Sequence, residues 1–334
     1  MATIYDVGRR ADVSVATVSS VINNTAYVSP KLRKRVEDAI RELDYSPNLL
    51  ARGLARQKTL SLGVLVPDIA NFFFPEVVRG VEDKAKEAGY TIILGNSDNR
   101  SDKEELYLKL FLSNRVDGIA LVKAPGAMSP DLLRLLKKSG LPIVLLDRDY
   151  PDLATDSVLV DDVDGGYMAT KHLLKLGHRR IGIISGVPGV STTDGRLQGY
   201  EKALRESKIK IDDDLIATGD YGIDSGYEAG LGLLKEKCTA VFVTNHMMTI
   251  GFLKAMGEHG LTTPRDVSIV SYDDFLWNDV FTPRLSCVAQ PKYQLGYTAA
   301  EVLLSRIQKK HKRRQSVVLE NTLQVRDTSK ARLK

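Results

Sequence analysis

A group of short, uncharged side chains between residues 14 and 23 carries the first indication of chemistry. Val18, Val21 and Ile22 have the i, i+3, i+4 spacing of a buried helix face. The remaining side chains must then point outward, and they are Val15, Ala16, Thr17, Ser19, Ser20 and Asn23. Short side chains at the start of a helix can enter the major groove of DNA, where base edges present donors and acceptors. The pattern favours DNA recognition, with a plain three-helix bundle as the alternative.

Three short helices must position that group. Thr3 can cap a first helix over about residues 4–10, and a tight turn at residues 11–13 follows. Ser14 can cap the second helix, and Ser29 and Pro30 are typical of the start of a third. Two helices joined by a tight turn, with the second one presenting the outward group, predict a helix-turn-helix.

Positive charge is concentrated in the same part of the chain. Residues 1–60 hold ten Lys and Arg and six Asp and Glu, so 10 − 6 = +4 of the formal net charge of +5 lies there. The third helix carries Lys31, Arg33, Lys34 and Arg35 on its outer side, where they can contact phosphates. This distribution suits a polyanionic partner.

The sequence lacks the usual motifs of enzymes and metal sites. It has no dinucleotide-binding fingerprint, phosphate loop or nucleophile elbow. The five histidines have no metal-ligand spacing, and Cys238 and Cys287 are the only cysteines. A glycine-rich turn at residues 185–189 is weak evidence for phosphate binding. We therefore expect no enzyme activity, no cofactor and no metal.

Apolar runs alternate with helical patterns from residue 60 onward, which predicts two lobes built from parallel βαβ units. Two such open sheets place a ligand site where the carboxyl ends of their strands face each other across a cleft. Strands after residue 316 should return to the first lobe or cross between the lobes. The strand segments are SLGVLV, YTIILG, DGIALV and PIVLLD in the first lobe and RIGIIS, TAVFVT and VSIVSY in the second, with helices near 75–88, 101–114, 129–139, 164–176, 193–206, 224–236, 245–259 and 291–308.

The first 54 residues resemble the lactose-repressor/galactose-repressor (LacI/GalR) family of bacterial transcriptional regulators. The similar segments are TIYDVGRRADVSVATVSSVINN and VSPKLRKRVEDAIRELDYSPNLLARGL. The resemblance implies that Val15 and Ala16 face bases, and that residues 47–59 form a hinge helix whose Leu54 wedges into the minor groove. The implied DNA-binding set is Thr3, Tyr5, Ser14, Val15, Ala16, Thr17, Ser20, Asn23, Ser29, Asn48, Ala51 and Leu54.

Two positions depart from the pattern of this family. Ser20 stands where an arginine suited to bidentate recognition of guanine is usual, so this readout is missing or replaced. Asp12 stands where glycine is usual in the turn, and Asp can adopt that geometry.

From residue 60 onward the chain resembles the core of the same family, which has a periplasmic-binding-protein fold. GHRRIGIISG, PRDVSIVSYDD and FTPRLSCVAQP are among the most similar segments. Phe73 and Phe74 have flat aromatic faces that can stack on a sugar or base ring. The planar guanidinium fork of Arg196 can donate two hydrogen bonds to a pair of hydroxyls or to a carboxylate. Asp147 and Asp273 can accept hydrogen bonds from hydroxyls. The implied effector-binding set is Phe73, Phe74, Asp147, Arg148, Thr192, Arg196, Tyr221, Asn245, His246 and Asp273.

His246 stands where many sugar-binding members of the family have an aspartate that binds hydroxyls. The loss of an acid and the gain of a possible cation favour an acidic ligand, such as a sugar acid or a phosphorylated sugar, although neutral histidine can also bond hydroxyls.

These observations predict an α/β protein with three parts. They are a helix-turn-helix domain at 1–46, a hinge at 47–59 and a two-lobed, doubly wound core at 60–334, whose first lobe is about 60–160 and 291–321 and second about 161–290 and 322–330. We predict a repressor that binds operator DNA as a homodimer under control of a sugar or sugar derivative. Without an apolar secretory core or a bilayer-spanning stretch, we expect it in the cytosol. The alternatives are a periplasmic sugar-binding protein, a cytosolic sugar-modifying enzyme and a regulator whose effector is a partner protein.

Overall fold

The computed structural model describes residues 2–24, 26–45, 59–280, 282–311 and 313–332. The chain forms two compact units, Met1–Thr59 and Leu60–Lys334. Asn48, Ala51 and Leu54 of the predicted hinge lie outside the described residues. Within the described ranges, no helix has the length and apolar character needed to cross a membrane.

Three helices form the first unit: α1 (Ile4–Ala11), α2 (Val15–Asn23) and α3 (Pro30–Glu42). Thr3 forms a capping box at the start of α1, and the Ser14 hydroxyl accepts the Thr17 N–H at the start of α2 at 3.2 Å. Ser29 occupies the N-cap position of α3, but its side chain makes no capping hydrogen bond. The start of α3 is therefore favoured by Pro30, whose backbone angle is already set for a helix. The predicted capping by the Ser29 hydroxyl does not contribute.

The turn between α1 and α2 accommodates Asp12 in place of the usual glycine. Asp12 has a φ of +49°, in the left-handed region that aspartate tolerates better than most residues. Its carboxylate accepts a hydrogen bond from Arg35 of α3 at 3.0 Å, which ties the turn to the third helix. Val7, Val18 and Val36, one from each helix, are fully buried and form the centre of the small core.

The first lobe of the second unit is a parallel six-stranded sheet with an apolar cluster on each face. Its strands are β1 (Ser61–Val66), β2 (Thr91–Asn96), β3 (Gly118–Leu121), β4 (Ile143–Leu146), β5 (Asp156–Val160) and, late in the chain, β11 (Ser316–Leu319). Its helices are α4 (Phe73–Glu87), α5 (Ser101–Ser113), α6 (Pro130–Ser139) and α11 (Lys292–Ile307). The strand order is β11-β5-β4-β3-β1-β2.

The second lobe repeats this plan. Its strands are β6 (Ile181–Ser185), β7 (Ile216–Thr218), β8 (Ala240–Val243), β9 (Ser268–Tyr272), β10 (Cys287–Ala289) and β12 (Thr322–Gln324). Its helices are α7 (Asp162–Lys175), α8 (Ser191–Glu206), α9 (Ile223–Lys235) and α10 (His246–Glu258). The strand order is β12-β10-β9-β8-β6-β7, and β12 runs antiparallel to β10.

The predicted strands and helices of both lobes form, and three further strands join them. These are β5, β7 and β10. β7 and β10 have only three residues each, too few for an apolar period to show. β5 follows β4 without an α-helix between them, so the βαβ alternation gave no signal for it.

Glycines allow three helix pairs to cross in close contact: α4 with α11, α7 with α8, and α9 with α10. A Cβ on Gly296 would lie 1.9 Å from the Val77 carbonyl oxygen, and one on Gly199 would lie 2.1 Å from that of Val163. In the third pair, a Cβ on Gly226 would lie 2.3 Å from the Met248 carbonyl oxygen. Since backbone atoms cannot turn aside as a flexible side chain can, any larger residue must push the helices apart.

We expect Gly226→Ala to lower the free energy of unfolding by about 1–3 kcal/mol, because the added methyl overpacks the α9–α10 crossing. Gly232→Ala on the same helix is the matched control, since a Cβ there meets nothing within 4 Å. The control should raise stability by about 0.5–1 kcal/mol through helix propensity alone. Urea unfolding of both variants checks this. Equal effects of the two substitutions would contradict the close crossing.

Candidate functional site

Helix α2 presents the predicted recognition residues on the surface of the first unit. Ala16 is exposed, and Val15, Thr17 and Ser20 are partly exposed. Ser14 Oγ and Thr17 Oγ1 lie 2.9 Å apart, so the two hydroxyls are held together at the start of the helix. Asn23 is the last residue of α2. The structure therefore offers a helix N-terminus of short side chains, as base readout in the major groove requires.

Two exposed tyrosines flank this surface in the sequence. Tyr5 of α1 is 68% exposed, as expected for a predicted DNA contact, and Tyr27 is 90% exposed. Tyr27 was not predicted, because the segment between α2 and α3 has no periodicity that would show it facing outward. Exposed tyrosine hydroxyls can donate hydrogen bonds to phosphate oxygens. Lys31 and Lys34 of α3 are also exposed.

In the second unit, a cleft lies where the carboxyl ends of the strands of both lobes converge. The space free of protein atoms in and around it, open solvent included, is about 700 Å³. Nine of the ten predicted effector residues line it: Phe73, Phe74, Asp147, Arg148, Thr192, Arg196, Tyr221, Asn245 and Asp273. Five polar residues that were not predicted also line it: Asp68, Asn71, Asn99, Asp220 and Gln290.

The additional polar residues follow strand ends, as most of the predicted ones do. Asp68 lies two residues after β1 and Asn99 three residues after β2. Gln290 follows β10 directly, and Asp220 lies two residues after β7. The positions after β1 and β2 could have been found by taking every polar residue near a predicted strand end. Those after β7 and β10 could not, because these strands were not predicted.

Four residues of the cleft have backbones in the left-handed region, and one of them, Asn99 with a φ of +55°, is of a type that tolerates this conformation. Asp147 directly follows β4 and has a φ of +67°, and Asp273 directly follows β9 and has a φ of +75°. Each strand is third in the order of its sheet, so the two aspartates occupy equivalent places in the two lobes. Tyr221 has a φ of +73°. Such conformations cost about 1–3 kcal/mol each and cluster at functional sites.

Comparisons with known proteins agree with this architecture. Residues 3–48 match the family described as bacterial regulatory proteins, lacI family, and residues 170–329 match the periplasmic binding protein-like domain. The chain is 41% identical to the HTH-type transcriptional repressor PurR of Escherichia coli O139:H28 (strain E24377A / ETEC), over 95% of this chain and 94% of that protein. The chain belongs to the LacI family.

Solved structures extend the likeness over both units of this LacI-family protein. The lac repressor dimer bound to operator and the anti-inducer ONPF has a TM-score of 0.87 at 28% identity, covering 99% of each chain. A LacI family transcriptional regulator from Enterococcus faecium with bound ribose has a TM-score of 0.75 at 32% identity, covering 82% of this chain and 100% of that one. Because its relatives are transcriptional repressors, the protein is a DNA-binding transcriptional regulator rather than an enzyme.

Arg196 of α8 is the most firmly held cation of the cleft in this LacI-family protein. Its Nε donates to Asp162 Oδ1 at 2.8 Å, and its Nη1 donates to the Thr244 carbonyl oxygen at 2.7 Å. The guanidinium lies over the Tyr272 ring, 3.8 Å from its centroid. The fork is therefore fixed before any ligand arrives, which lowers the entropy lost on binding.

Asp162, the partner of Arg196, is buried, and burial raises its pKa to about 7, against the opposing attraction of Arg196. Burial also raises the pKa of Asp147. The native Asp162 carboxyl thus keeps a proton at pH values where the unfolded chain, with a carboxyl pKa of 3.8, has lost it. Its contribution to the free energy of unfolding must fall as the pH rises from about 4 to about 7.

We expect Asp162→Asn to remove that pH dependence, since asparagine can still accept from Arg196 but does not ionise. The melting temperature of the wild type minus that of the variant should decrease between pH 4 and pH 7 and then level off. Thermal unfolding across this range measures the difference, with Asp164→Asn, at an exposed position of the same helix turn, as the matched control. A difference that is constant or increases with pH would contradict the raised pKa.

Asp273, unlike Asp162, is ionised in the cleft. Burial opposes its charge, but hydrogen bonds from His246 and Gln290 and the nearby Arg196 outweigh burial and lower its pKa. Gln290 Nε2 donates to Asp273 Oδ1 at 2.6 Å, and His246 Nδ1 lies 3.4 Å from Asp273 Oδ2. The cleft therefore contains a carboxylate that can accept hydrogen bonds from ligand hydroxyls.

Among the described residues, His246 is the one predicted effector contact that does not line the cleft. It is buried against Phe275, with ring centroids 4.4 Å apart, and reaches the cleft only through Asp273. It is the first residue of α10, directly after the N-cap, and its ring packs among aromatic side chains, Phe72 and Phe275, instead of lining the cleft. The argument that His246 offers a cation to an acidic ligand therefore has no geometric support.

Several contacts join the two lobes beside the cleft. The Asp149 N–H of the first lobe donates to Ser191 Oγ of the second at 2.9 Å. Phe72 of the first lobe packs edge-on against Trp277 of the second, with centroids 4.6 Å apart. The Arg148 guanidinium lies 5.2 Å from the centroid of the Tyr221 ring, across the cleft. Any change in the angle between the lobes must break or rearrange these contacts.

Proposed function

We propose that this regulator is a repressor whose operator binding is controlled by a sugar or sugar derivative held in the cleft between the lobes. The observation that carries the proposal is the set of hydrogen-bonding side chains at the strand ends of both lobes, pre-ordered around one cavity. A ligand that bonds to both lobes favours one angle between them. It can change operator affinity only by binding the two states of the protein unequally.

The charges around the cleft favour a neutral, hydroxyl-rich ligand over an acidic one. Four carboxyl groups line it, those of Asp68, Asp147, Asp220 and Asp273, and of the two that are buried, the pKa is raised, by burial, only for Asp147. Two guanidiniums oppose them, and one of these, Arg196, is already paired with Asp162. Bound ribose in the related regulator from Enterococcus faecium is in keeping with such a ligand. Phe73, Phe74 and Tyr221 supply apolar walls for a ring.

We further propose that a homodimer binds a near-palindromic operator, one helix-turn-helix on each half-site. Bases are contacted by Val15 and Ala16, and residues 47–59 order as a hinge on the DNA. On the second lobe, Leu276 is 92% exposed and Val280 is 77% exposed, an apolar surface suited to a second copy of the chain. The related lac repressor is a dimer on its operator. The protein then acts in the cytoplasm, where operator DNA is found.

Two measurements on the full-length protein test this proposal. Selection from a random duplex library should yield a near-palindromic, salt-sensitive site. Thermal-shift screening with sugars, sugar acids, sugar phosphates and purine bases should identify a ligand that raises the melting temperature, since only the native state binds it. This ligand must also change affinity for the selected site. A protein that selects no site, or whose site affinity responds only to purines, would contradict the proposal. A response only to sugar acids or sugar phosphates would contradict the preference for a neutral ligand.

A further inference from the structure

A run of cations joins α11 to β11 in the first lobe, and neither operator reading nor effector binding uses it. Residues 309–314 read Lys-Lys-His-Lys-Arg-Arg, five cations and one histidine without an acid. Lys309, Lys310 and Arg313 are exposed. No carboxylate of the described residues lies within salt-bridge distance of these three, whereas Arg314 lies 3.7 Å from Asp149. The loop therefore presents concentrated positive charge to solvent.

A buried carboxylate binds groups on both sides of this run of cations. Asp156, which is 1% exposed, accepts from Arg306 Nε at 2.8 Å and Nη2 at 2.5 Å, and from the Gln315 N–H at 2.8 Å. Arg306 Nη2 also donates to the Arg313 carbonyl oxygen at 2.9 Å. His311 Nδ1 lies 2.9 Å from Ser305 Oγ. These hydrogen bonds hold described backbone and side-chain groups beside Lys310 and Arg313, so less entropy is lost when these exposed cations meet a partner.

The sheet places this loop at the edge where the chain arrives from the first unit. All six strands of the first lobe run parallel, so they all start at one edge. β11 begins at Ser316, just after the loop, and β1 begins at Ser61, just after Leu60. Four strand spacings, about 19 Å, separate these two starts. Lys137 and Lys138, exposed at the end of α6 and leading to β4, add to the same edge.

We propose that this cationic edge, formed by Lys309, Lys310 and Arg313 with Lys137 and Lys138, contacts the phosphates of DNA that flanks the operator. The inference rests on operator binding by the first unit. Because the 14 residues 46–59 can span at most roughly 50 Å, the first unit is tethered within that distance of Leu60, and a duplex that extends beyond the operator can reach the edge. Duplex DNA is stiff over about 150 base pairs, so its flanks continue past the operator as a line of phosphates. Such contacts carry no sequence preference.

The test compares the full-length wild type with the variant Lys309→Gln/Lys310→Gln/Arg313→Gln on two duplexes centred on the selected operator. One duplex ends at the operator, and the other extends about 15 base pairs, roughly 50 Å, beyond each end. Affinity is measured by fluorescence anisotropy over a range of KCl concentrations. The matched control, Lys208→Gln/Lys210→Gln/Lys235→Gln, removes the same charge from exposed positions of the second lobe.

On the long duplex, the slope of log affinity against log salt should become shallower in the variant by about 0.9 for each phosphate that the loop no longer neutralises. The variant should match the wild type on the short duplex, and the control should match it on both. An unchanged slope on the long duplex, as expected if the loop instead binds an acidic protein, or an equal loss in the control, overturns the inference. Operator binding itself is tested separately, by the wild type on the short duplex.

Discussion

Replacing Ala16 with glutamate is expected to weaken operator binding by roughly 100-fold or more. Ala16 is exposed near the start of α2, on the surface that faces the bases in the proposed complex. A carboxylate at this position is repelled by the negative potential of the groove, and the longer side chain keeps α2 farther from the bases. Each base contact that is lost costs about 1–3 kcal/mol. Anisotropy with the selected operator at fixed salt measures the change.

The helix itself should tolerate this substitution. Glutamate is a good helix former, and a negative charge in the first turn interacts favourably with the helix dipole. The circular dichroism spectrum and the effector-induced thermal shift should therefore match those of the wild type. Ala331→Glu, at an exposed position of the second unit, adds the same charge outside the helix-turn-helix and should bind operator normally. Wild-type operator affinity in Ala16→Glu would rule out base readout by this helix.

Replacing Arg196 with methionine is expected to weaken effector binding by about 100-fold while leaving operator binding intact. The substitution removes a planar fork that is already aligned by Asp162 and the Thr244 carbonyl. Hydrogen bonds to charged groups contribute about 1.5–3 kcal/mol each, and about 1.4 kcal/mol corresponds to tenfold in affinity. Calorimetric titration with the sugar found by thermal shift measures the loss.

The same substitution should also lower stability, because breaking a buried ion pair costs about 3–5 kcal/mol. The cost should lie at the lower end, since Asp162, whose pKa is about 7, can take up a proton. Arg205→Met on the same helix is the matched control: it breaks an exposed pair with Glu201 and should change little. Arg196→Lys keeps the charge but not the fork, so it should bind effector weakly even if the methionine variant is unstable. Near wild-type effector affinity in both Arg196 variants would remove Arg196 from the site.

Asp147 and Asp273 occupy equivalent positions in the two lobes, which share one strand order. Asp147 and Asp273 follow the third strand of each sheet with the same left-handed backbone, yet their charges are set differently. Asp147 is buried with a raised pKa, whereas hydrogen bonds from His246 and Gln290 help to lower that of Asp273. One shared backbone geometry thus yields two carboxyl groups with different protonation behaviour.

Much of the fold followed from local patterns. The apolar spacing of Val18, Val21 and Ile22 predicted α2, and α2 forms with Val18 and Val21 buried. The apolar runs from SLGVLV onward predicted seven strands, and all seven form. Local patterns were sufficient there because a helix or strand of ordinary length repeats its period several times. They failed for β7 and β10, where three residues are too few for the two-residue period of a strand to recur.

The sequence by itself determined most of the elements, the family and most of the residues that line the cleft. Only the tertiary structure decided the direction of each side chain at the strand ends. His246, next to Asn245 in the chain, lies behind Asp273, whereas Gln290 and Asp220, which no pattern indicated, line the cleft. The physical reason is that burial and hydrogen bonding at a strand end depend on how α10 and the neighbouring strands pack, and residue type and spacing alone do not contain that information.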